Sequence, residues 1–83
     1  MSYYVYILEC ADGTFYTGYS TDPGKRLKMH NAGKGAKYTR SRRPCSLVYT
    51  EVFEDKSAAL SREWHIKHGL SHEEKMKMIN ENK

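Results

Sequence analysis

Two residues of one predicted helix have the spacing of a phosphate-binding pair. Arg26 and His30 lie four positions apart, so they project from the same face of a helix. A guanidinium binds phosphate in a fork geometry, and an imidazole can move a proton near neutral pH. The same pair also fits the ordinary charged, solvent-facing side of an amphipathic helix. Alone, the spacing favours the solvent-facing interpretation.

Four tyrosines lie on two predicted strands, namely Tyr4, Tyr6, Tyr16 and Tyr19. Tyr6 and Tyr16 flank the Asp12-Gly13 pair, which favours a hairpin turn, so their rings can approach each other across two strands. Aromatic packing between strands explains this cluster without any chemistry. A phenol, with an ordinary pKa of about 10, becomes a useful base only where nearby cations lower that pKa.

Glu63 places a carboxylate on or beside the apolar stripe of a later predicted helix. Its neighbour Trp64 has the helical spacing from Leu60 that is typical of a core anchor. A buried carboxylate is costly unless it is paired or binds a metal. A salt bridge to Arg62 or to a nearby lysine would satisfy it. A single carboxylate can also hold magnesium when water and a substrate phosphate complete the octahedron.

Together these residues supply the three parts of a phosphodiester-cleaving site. Such a site needs an anion clamp, a base for the attacking water and a Lewis acid for the charge that develops on phosphorus. Arg26 would be the clamp, and Glu63 would hold the divalent metal. A tyrosine or His30 would be the base.

The positive charge of the chain is concentrated in one segment. The net charge is +4, and eight Lys or Arg with no Asp or Glu lie between positions 25 and 43. Such asymmetry favours a polyanionic partner, most often a nucleic acid, over a loop that is charged only for solubility. The residues predicted to contact nucleic acid are Lys25, Lys34, Lys37, Tyr38, Arg40, Arg42 and Arg43.

The elements that must position these residues have the order β-β-α-β-α-α, which predicts an α+β domain with an antiparallel sheet. Strands are predicted at 3–9, 14–19 and 46–54, with the first strand central because it is apolar on both faces. Helices are predicted at about 23–31, from a cap at Ser57 to Gly69, and from a capping box of Ser71 and Glu74 onward. The basic segment 34–44 is predicted to be a loop. Residues 1–83 form one predicted domain, in which 71–83 is a peripheral helix that frays.

The order of the motifs resembles that of the GIY-YIG nuclease superfamily. "YVY" at 4–6 and "YTG" at 16–18 are similar to its paired strand motif, with Tyr4 and Thr17 as departures from it. Arg26, His30 and Glu63 follow in the family's order and spacing. The stretches "DGTFYTGYSTDPGKRLKMHN", "GKGAKYTRSRRP" and "ALSREWHIK" resemble small single-domain bacterial members. They also resemble the catalytic domain of the eukaryotic structure-specific endonuclease subunit that acts on branched DNA.

This resemblance implies a three-stranded antiparallel sheet flanked by helices and one-metal hydrolysis of DNA phosphodiesters. By the same resemblance, Tyr6 and Tyr16 line the site, and one of them acts as the general base or orients the water. Arg26 holds the scissile phosphate, and His30 assists proton transfer or binds phosphate. Glu63 holds magnesium or manganese.

Further expectations concern the substrate and the edges of the site. Because Lys and Arg contact phosphates without reading bases, we expect a preference for DNA structure, such as branches or flaps, rather than for sequence. Tyr38 falls near a position where some members place a further catalytic His. Some members also use a downstream asparagine, and we do not carry that role over to the only candidates, Asn80 and Asn82.

Other interpretations stay open. The chain could bind nucleic acid without cutting it, or could need a protein partner or a second copy for activity. A zinc site formed by His65, His68 and His72 is disfavoured, because Gly69 interrupts their helix and no cysteine pair accompanies them. Cys10 and Cys45 form no CxxC motif, which favours free thiols in a reducing cytoplasm. No apolar run is long enough for a membrane span, so no membrane role is expected.

Overall fold

A computed structural model of the chain describes residues 1–81. Its elements are β1 (Tyr3–Glu9), β2 (Phe15–Ser20), α1 (Pro23–Asn31), α2 (Lys37–Arg40), β3 (Ser46–Phe53), α3 (Lys56–Gly69) and α4 (His72–Glu81). The predicted α+β class and the order β-β-α-β-α-α are confirmed. The difference is α2, a single helical turn inside the segment predicted to be a loop. It forms because the carbonyl of Ala36 accepts the amides of Thr39 and Arg40, at 3.2 and 3.3 Å.

The sheet has the strand order β2-β1-β3, with both neighbouring pairs antiparallel. β1 is therefore the central strand, as its sequence predicts, and four consecutive residues of it, 5–8, are buried. Tyr6 faces Gly18 of β2 and Thr50 of β3, and Leu8 faces Tyr16. This register brings the two motif tyrosines to neighbouring positions on one face of the sheet.

Hydrophobic side chains cover both faces of the sheet. On one face Val5 and Ile7 pack against α3 and α4, and on the other Tyr6 and Leu8 pack with Leu27 of α1 and with the two cysteines. α4 contacts the first cluster through Ile79, which is only 6% exposed, and its peripheral position stays a prediction. Fraying of the chain end stays a prediction, since Asn82 and Lys83 lie outside the described residues.

Helix capping follows the sequence closely, with one correction. The side chain of Asp22 accepts the amide of Lys25 and begins α1, and Ser71 and Glu74 form the predicted capping box of α4. The prediction that Ser57 caps α3 is wrong. Asp55 is the cap, and its carboxylate accepts the amide of Ala58 at 3.1 Å. Asp55 comes first along the chain and is an equally good capping type, so the helix starts one residue after it.

Trp64 is not the core anchor that its spacing suggests. Its side chain is 65% exposed, and Leu60, on the same side of α3, is 40% exposed. The helix instead packs onto the sheet through Ala59 and Ile66, which are both fully buried. The apolar stripe of α3 is therefore rotated away from Trp64. No helix within residues 1–81 has the length and hydropathy that a membrane crossing requires.

The two cysteines are free, buried and adjacent, with their sulfur atoms 3.7 Å apart. Burial raises the pKa of the Cys45 thiol to about 11, and the neighbouring Cys10 thiol adds to the shift. Because the thiolate is the reactive form, we expect iodoacetamide at pH 8 to label the folded protein at least about 100-fold more slowly than free cysteine. Mass spectrometry with and without urea measures this, and equal labelling of the folded and unfolded chains would contradict it.

Candidate active site

A buried hydrogen bond joins β1 to the end of α1. The hydroxyl of Tyr6 lies 3.1 Å from Nε2 of His30, and the two side chains are 1% and 0% exposed. The spacing of Arg26 and His30 suggested a pair on an outward helix face, but His30 points inward. The burial is tolerated because both ring nitrogens have polar partners.

The second partner of His30 comes from α2. Its Nδ1 lies 2.8 Å from the hydroxyl of Thr39, and that hydroxyl donates its proton to the carbonyl of Ala36 at 2.9 Å. Nδ1 must therefore carry a proton and donate it to Thr39, so Nε2 accepts the proton of Tyr6. We infer this tautomer from the network, since the amide of Ala36 is 3.4 Å away and competes weakly.

Both members of the pair are neutral near pH 7. Burial raises the pKa of the Tyr6 phenol, and the charges of Tyr16 and Glu63 add to that shift against the opposing effect of Arg26. Burial and then the charge of Arg26 lower the pKa of His30 below its ordinary 6.5. The condition set for a tyrosine base, a pKa lowered by cations, is thus not met in the free protein. What the structure contains is a neutral phenol that donates to a neutral imidazole.

Tyr16 forms the more open wall of the same site. Its ring is half-buried, with its centroid 5.1 Å from that of His30 and 5.9 Å from that of Tyr38. Burial raises the pKa of the Tyr16 phenol as well, and the charge of Glu63 raises it further, against Arg26. Tyr38, 39% exposed, extends this aromatic wall toward solvent.

Arg26 has an unused donor in this region. Its Nε is buried and has no hydrogen-bond partner among residues 1–81, and Nη1 has only a weak contact of 3.9 Å with the sulfur of Met29. A buried N–H without a partner is costly and rare in folded proteins. An anion that binds beside Tyr6 and Tyr16 would supply that partner.

Glu63 is half-buried on α3, and its charge raises the pKa of both phenols. The alternative in which Arg62 neutralises it is wrong, because Arg62 forms its salt bridge with Glu51 of β3 at 3.0 Å. Within the described part of the chain, Glu63 takes part in no salt bridge. Its carboxylate is thus available to a cation.

The donor set fits a hard divalent ion better than zinc. No cluster of three His, Cys, Asp or Glu side chains that could hold a metal occurs among residues 1–81. A lone carboxylate suits magnesium or manganese, which keep several waters and take substrate oxygens as ligands. The three-histidine alternative gains no support, because His72 stacks on Phe15 and His68 packs against Trp64.

The basic segment divides into cations that hold the fold and cations that face solvent. Arg42 bonds Asp12 at 3.1 Å and the carbonyl of Tyr38 at 2.7 Å, and its guanidinium lies 4.1 Å from the centre of the Tyr38 ring. Arg43 donates to the carbonyls of Arg40 and Asn31. The remaining residues predicted to contact nucleic acid with a charged side chain are exposed, and these are Lys25, Lys34, Lys37 and Arg40.

Several residues lie near the site although nothing in the sequence pattern indicates it. Thr39 and Gly35 surround His30 from a segment with no helical or strand pattern, so only the fold reveals their contact. Lys67 of α3 places its ammonium 5.5 Å from the centre of the Tyr16 ring. Asn80 lines a different cleft with Val48, and Asn82 lies outside the described residues.

The close approach of Gly35 to His30 yields a test. A Cβ at Gly35 would overlap the imidazole, which two hydrogen bonds hold in place. We expect Gly35→Ala to lower the free energy of unfolding by about 1–3 kcal/mol, measured in urea. The matched control is Gly24→Ala in the first turn of α1, where the new methyl meets only ordinary contacts and a gain of about 0.5–1 kcal/mol is expected. Equal stability of the two variants would contradict the packing described.

The chain is similar to a known protein family and to several of its relatives. Residues 2–77 match the family described as the GIY-YIG catalytic domain. A UPF0213 protein of Staphylococcus haemolyticus is 54% identical over 79 residues, which cover 95% of each chain. A UPF0213 protein of Streptococcus pyogenes is 58% identical over 76 residues, which cover 92% of this chain and 83% of the relative.

Two structures solved by solution NMR resemble this fold along nearly its whole length. The UPF0213 protein of Bacillus halodurans has a TM-score of 0.61 at 51% identity, and a protein of E. faecalis has a TM-score of 0.65 at 45% identity. Each likeness covers 96% of this chain and 84% of the other.

Proposed function

Since this chain belongs to the GIY-YIG catalytic-domain family, we propose that it is a divalent-metal-dependent DNA endonuclease, or the nuclease subunit of one. It would hydrolyse phosphodiester bonds with a preference for the structure of the DNA rather than its sequence. The observation that carries this proposal is the buried hydrogen bond from the hydroxyl of Tyr6 to Nε2 of His30. Beside it lies Nε of Arg26, which has no hydrogen-bond partner among residues 1–81. A proton acceptor and an anion site stand side by side there.

The pair of Tyr6 and His30 would accept the proton of the attacking water. The water's O–H bond breaks as its oxygen bonds to phosphorus, and its proton passes to the hydroxyl oxygen of Tyr6. The bond from phosphorus to the leaving sugar oxygen breaks in the same step, and that oxygen takes a proton from solvent water. The phenol proton moves at the same time along the existing hydrogen bond to Nε2 of His30. This transfer requires a neutral imidazole, which the lowered pKa of His30 provides at neutral pH. The contact between Nδ1 and Thr39 would hold the ring in the accepting orientation.

The phosphate would be held between two charged side chains from different elements. Arg26 would bind its oxygens and use the Nε that has no partner among the described residues. Glu63 would hold magnesium or manganese together with water and a phosphate oxygen. A divalent ion bound there stabilises the charge that develops on the phosphorus centre. Tyr16, at the open side, would contact the water or the phosphate.

The exposed cations outside this centre support binding of a DNA backbone. Lys25, Lys34, Lys37 and Arg40 lie on α1, on α2 and between the two helices, close in the chain to the residues around His30. They offer charge without a base-reading element, which suits recognition of DNA shape. A protein partner or a second copy could extend this small surface. The protein would act in the cytoplasm, where two free thiols are stable.

A panel of labelled DNA substrates tests the proposal. Hairpin, flap, junction, duplex and single-strand DNA are incubated with the full chain, with magnesium, with manganese or with a chelator. We expect cleavage with either metal, none with the chelator, and faster cleavage of branched or flapped DNA than of blunt duplex. Glu63→Gln, purified identically, reveals contaminating nuclease. If every substrate stays intact while DNA is still bound, the chain is a non-catalytic nucleic-acid-binding module.

A further inference from the structure

A cleft adjoins the candidate active site, and of its lining residues only Tyr16 has a role in the chemistry proposed above. It opens along β2, an edge strand of the sheet, and its volume is about 370 Å³. α2, α3 and α4 supply its other walls. Its lining residues are Phe15, Tyr16, Thr17, Tyr38, Lys67 and Lys75. We propose that this cleft binds one unpaired nucleotide of the DNA strand, next to the phosphate that is cut.

The first support is a buried hydroxyl that has no partner. Thr17 is 3% exposed and lines the cleft, and its Oγ1 has no hydrogen-bond partner within residues 1–81. Leaving such a group unsatisfied lowers the stability of the free protein. A valine of the same shape would avoid that loss. A base edge or a sugar oxygen in the cleft would supply the missing hydrogen bond.

The second support is the combination of aromatic surface and positive charge. Tyr16 and Tyr38 expose parts of their rings to the cleft, and bases stack on such rings without regard to sequence. Lys67 and Lys75 line the cleft, and neither forms a salt bridge within the described chain. Two cations and two rings in one small cleft match the phosphate and the base of a nucleotide better than an apolar ligand.

The size and position of the cleft make the nucleotide an unpaired one. Its volume is at the lower end of small-molecule sites, which excludes a duplex from its interior. A base must leave the stack to enter such a cleft, and this costs least where it has no partner. Tyr16 belongs to both the cleft and the candidate active site, so a nucleotide bound here would adjoin the scissile phosphate. That the bound strand is also the strand that is cut rests on the proposed function.

A binding assay without metal tests the cleft separately from cleavage. Wild type is titrated into a fluorescein-labelled DNA duplex with a two-nucleotide unpaired flap, and into the blunt duplex, and anisotropy gives both dissociation constants. We expect affinity for the flap to be about fivefold tighter or more. The double variant Lys67→Gln with Lys75→Gln should remove this preference. The control is the double variant Lys56→Gln with Lys77→Gln, which changes exposed lysines on the same two helices. It should keep the preference for the flap.

The Thr17→Val variant separates ligand binding from a structural role. It should unfold at a higher temperature, because an unsatisfied hydroxyl is removed, and yet bind the flap about 2- to 10-fold more weakly. 2-Aminopurine in the flap should lose fluorescence on binding to wild type as it stacks on the rings. Equal affinity of wild type for the two duplexes, or an unchanged preference in the lysine double variant, would overturn the proposal. So would stronger binding of an RNA flap than of the DNA flap. None of these measurements depends on cleavage. A protein that binds the flap in the cleft but does not cut DNA is therefore distinguished from one that cuts DNA without using the cleft.

Discussion

Replacing Glu63 with glutamine is expected to lower the rate of DNA cleavage by about 1000-fold or more while the fold is kept. The substitution preserves size and removes the only carboxylate of the site that takes part in no salt bridge among residues 1–81. A neutral amide is a much weaker ligand for a hard divalent ion. Single-turnover cleavage of a flapped DNA, with magnesium in excess, measures the effect.

A second readout shows whether Glu63 truly faces the phenols. Its charge raises the pKa of Tyr6 and of Tyr16, so glutamine at this position should lower both pKa values. NMR titration of ring-labelled tyrosine follows them individually. Glu73→Gln, on the exposed face of α4, is the matched control and should leave both rate and titration unchanged. Full activity of Glu63→Gln would show that this carboxylate has no role in the reaction.

Replacing Tyr6 with phenylalanine should slow cleavage by about 100-fold or more and leave DNA affinity nearly unchanged, because the ring stays and only the proton carrier is lost. Nε2 of His30 would then be a buried acceptor without a donor, so the free energy of unfolding should fall by about 1–3 kcal/mol. Rates are therefore compared well below the melting temperature of the variant. Anisotropy with a flapped duplex gives the affinity.

The neighbouring tyrosines distinguish this assignment from a general effect of losing a phenol. Tyr4→Phe changes a half-buried tyrosine of the same strand that has no role in the proposed proton transfer, so the rate should stay within about twofold of wild type. Tyr16→Phe should slow the reaction less than Tyr6→Phe, because no hydrogen bond from Tyr16 to His30 occurs in the described structure. If Tyr16→Phe were the more damaging change, the proton acceptor would be Tyr16.

Much of the fold follows from patterns that act locally. The central place of β1 follows from its apolar residues on both faces, and the capping box at Ser71 and Glu74 forms as written. Gly18 is the hairpin partner of Tyr6, and the side chain of Tyr6 occupies the space that a Cβ at Gly18 would fill. These features depend on residues that are near in sequence or paired by a hairpin.

What the sequence does not fix is the direction in which a helix side chain points. Spacing shows that Arg26 and His30 share a face, but it does not show that His30 is buried. Its partner Thr39 lies nine residues away in α2, a single helical turn that the sequence pattern does not predict. Trp64 is exposed for a related reason, since Ala59 and Ile66 set the rotation of α3. Arg62 could pair with Glu51 or Glu63 on sequence grounds. Packing of α3 on β3 selects Glu51.

The bond between Asp12 and Arg42 also bears on how the protein can be engineered. The Asp12-Gly13 turn is exposed and looks like a convenient place for a peptide tag or a fused fluorescent domain. Yet it is tied to Arg42, two residues after α2, both by that ion pair and by the amide of Ala11, which donates to the carbonyl of Arg42 at 2.9 Å. An insertion there would loosen the segment that carries Thr39.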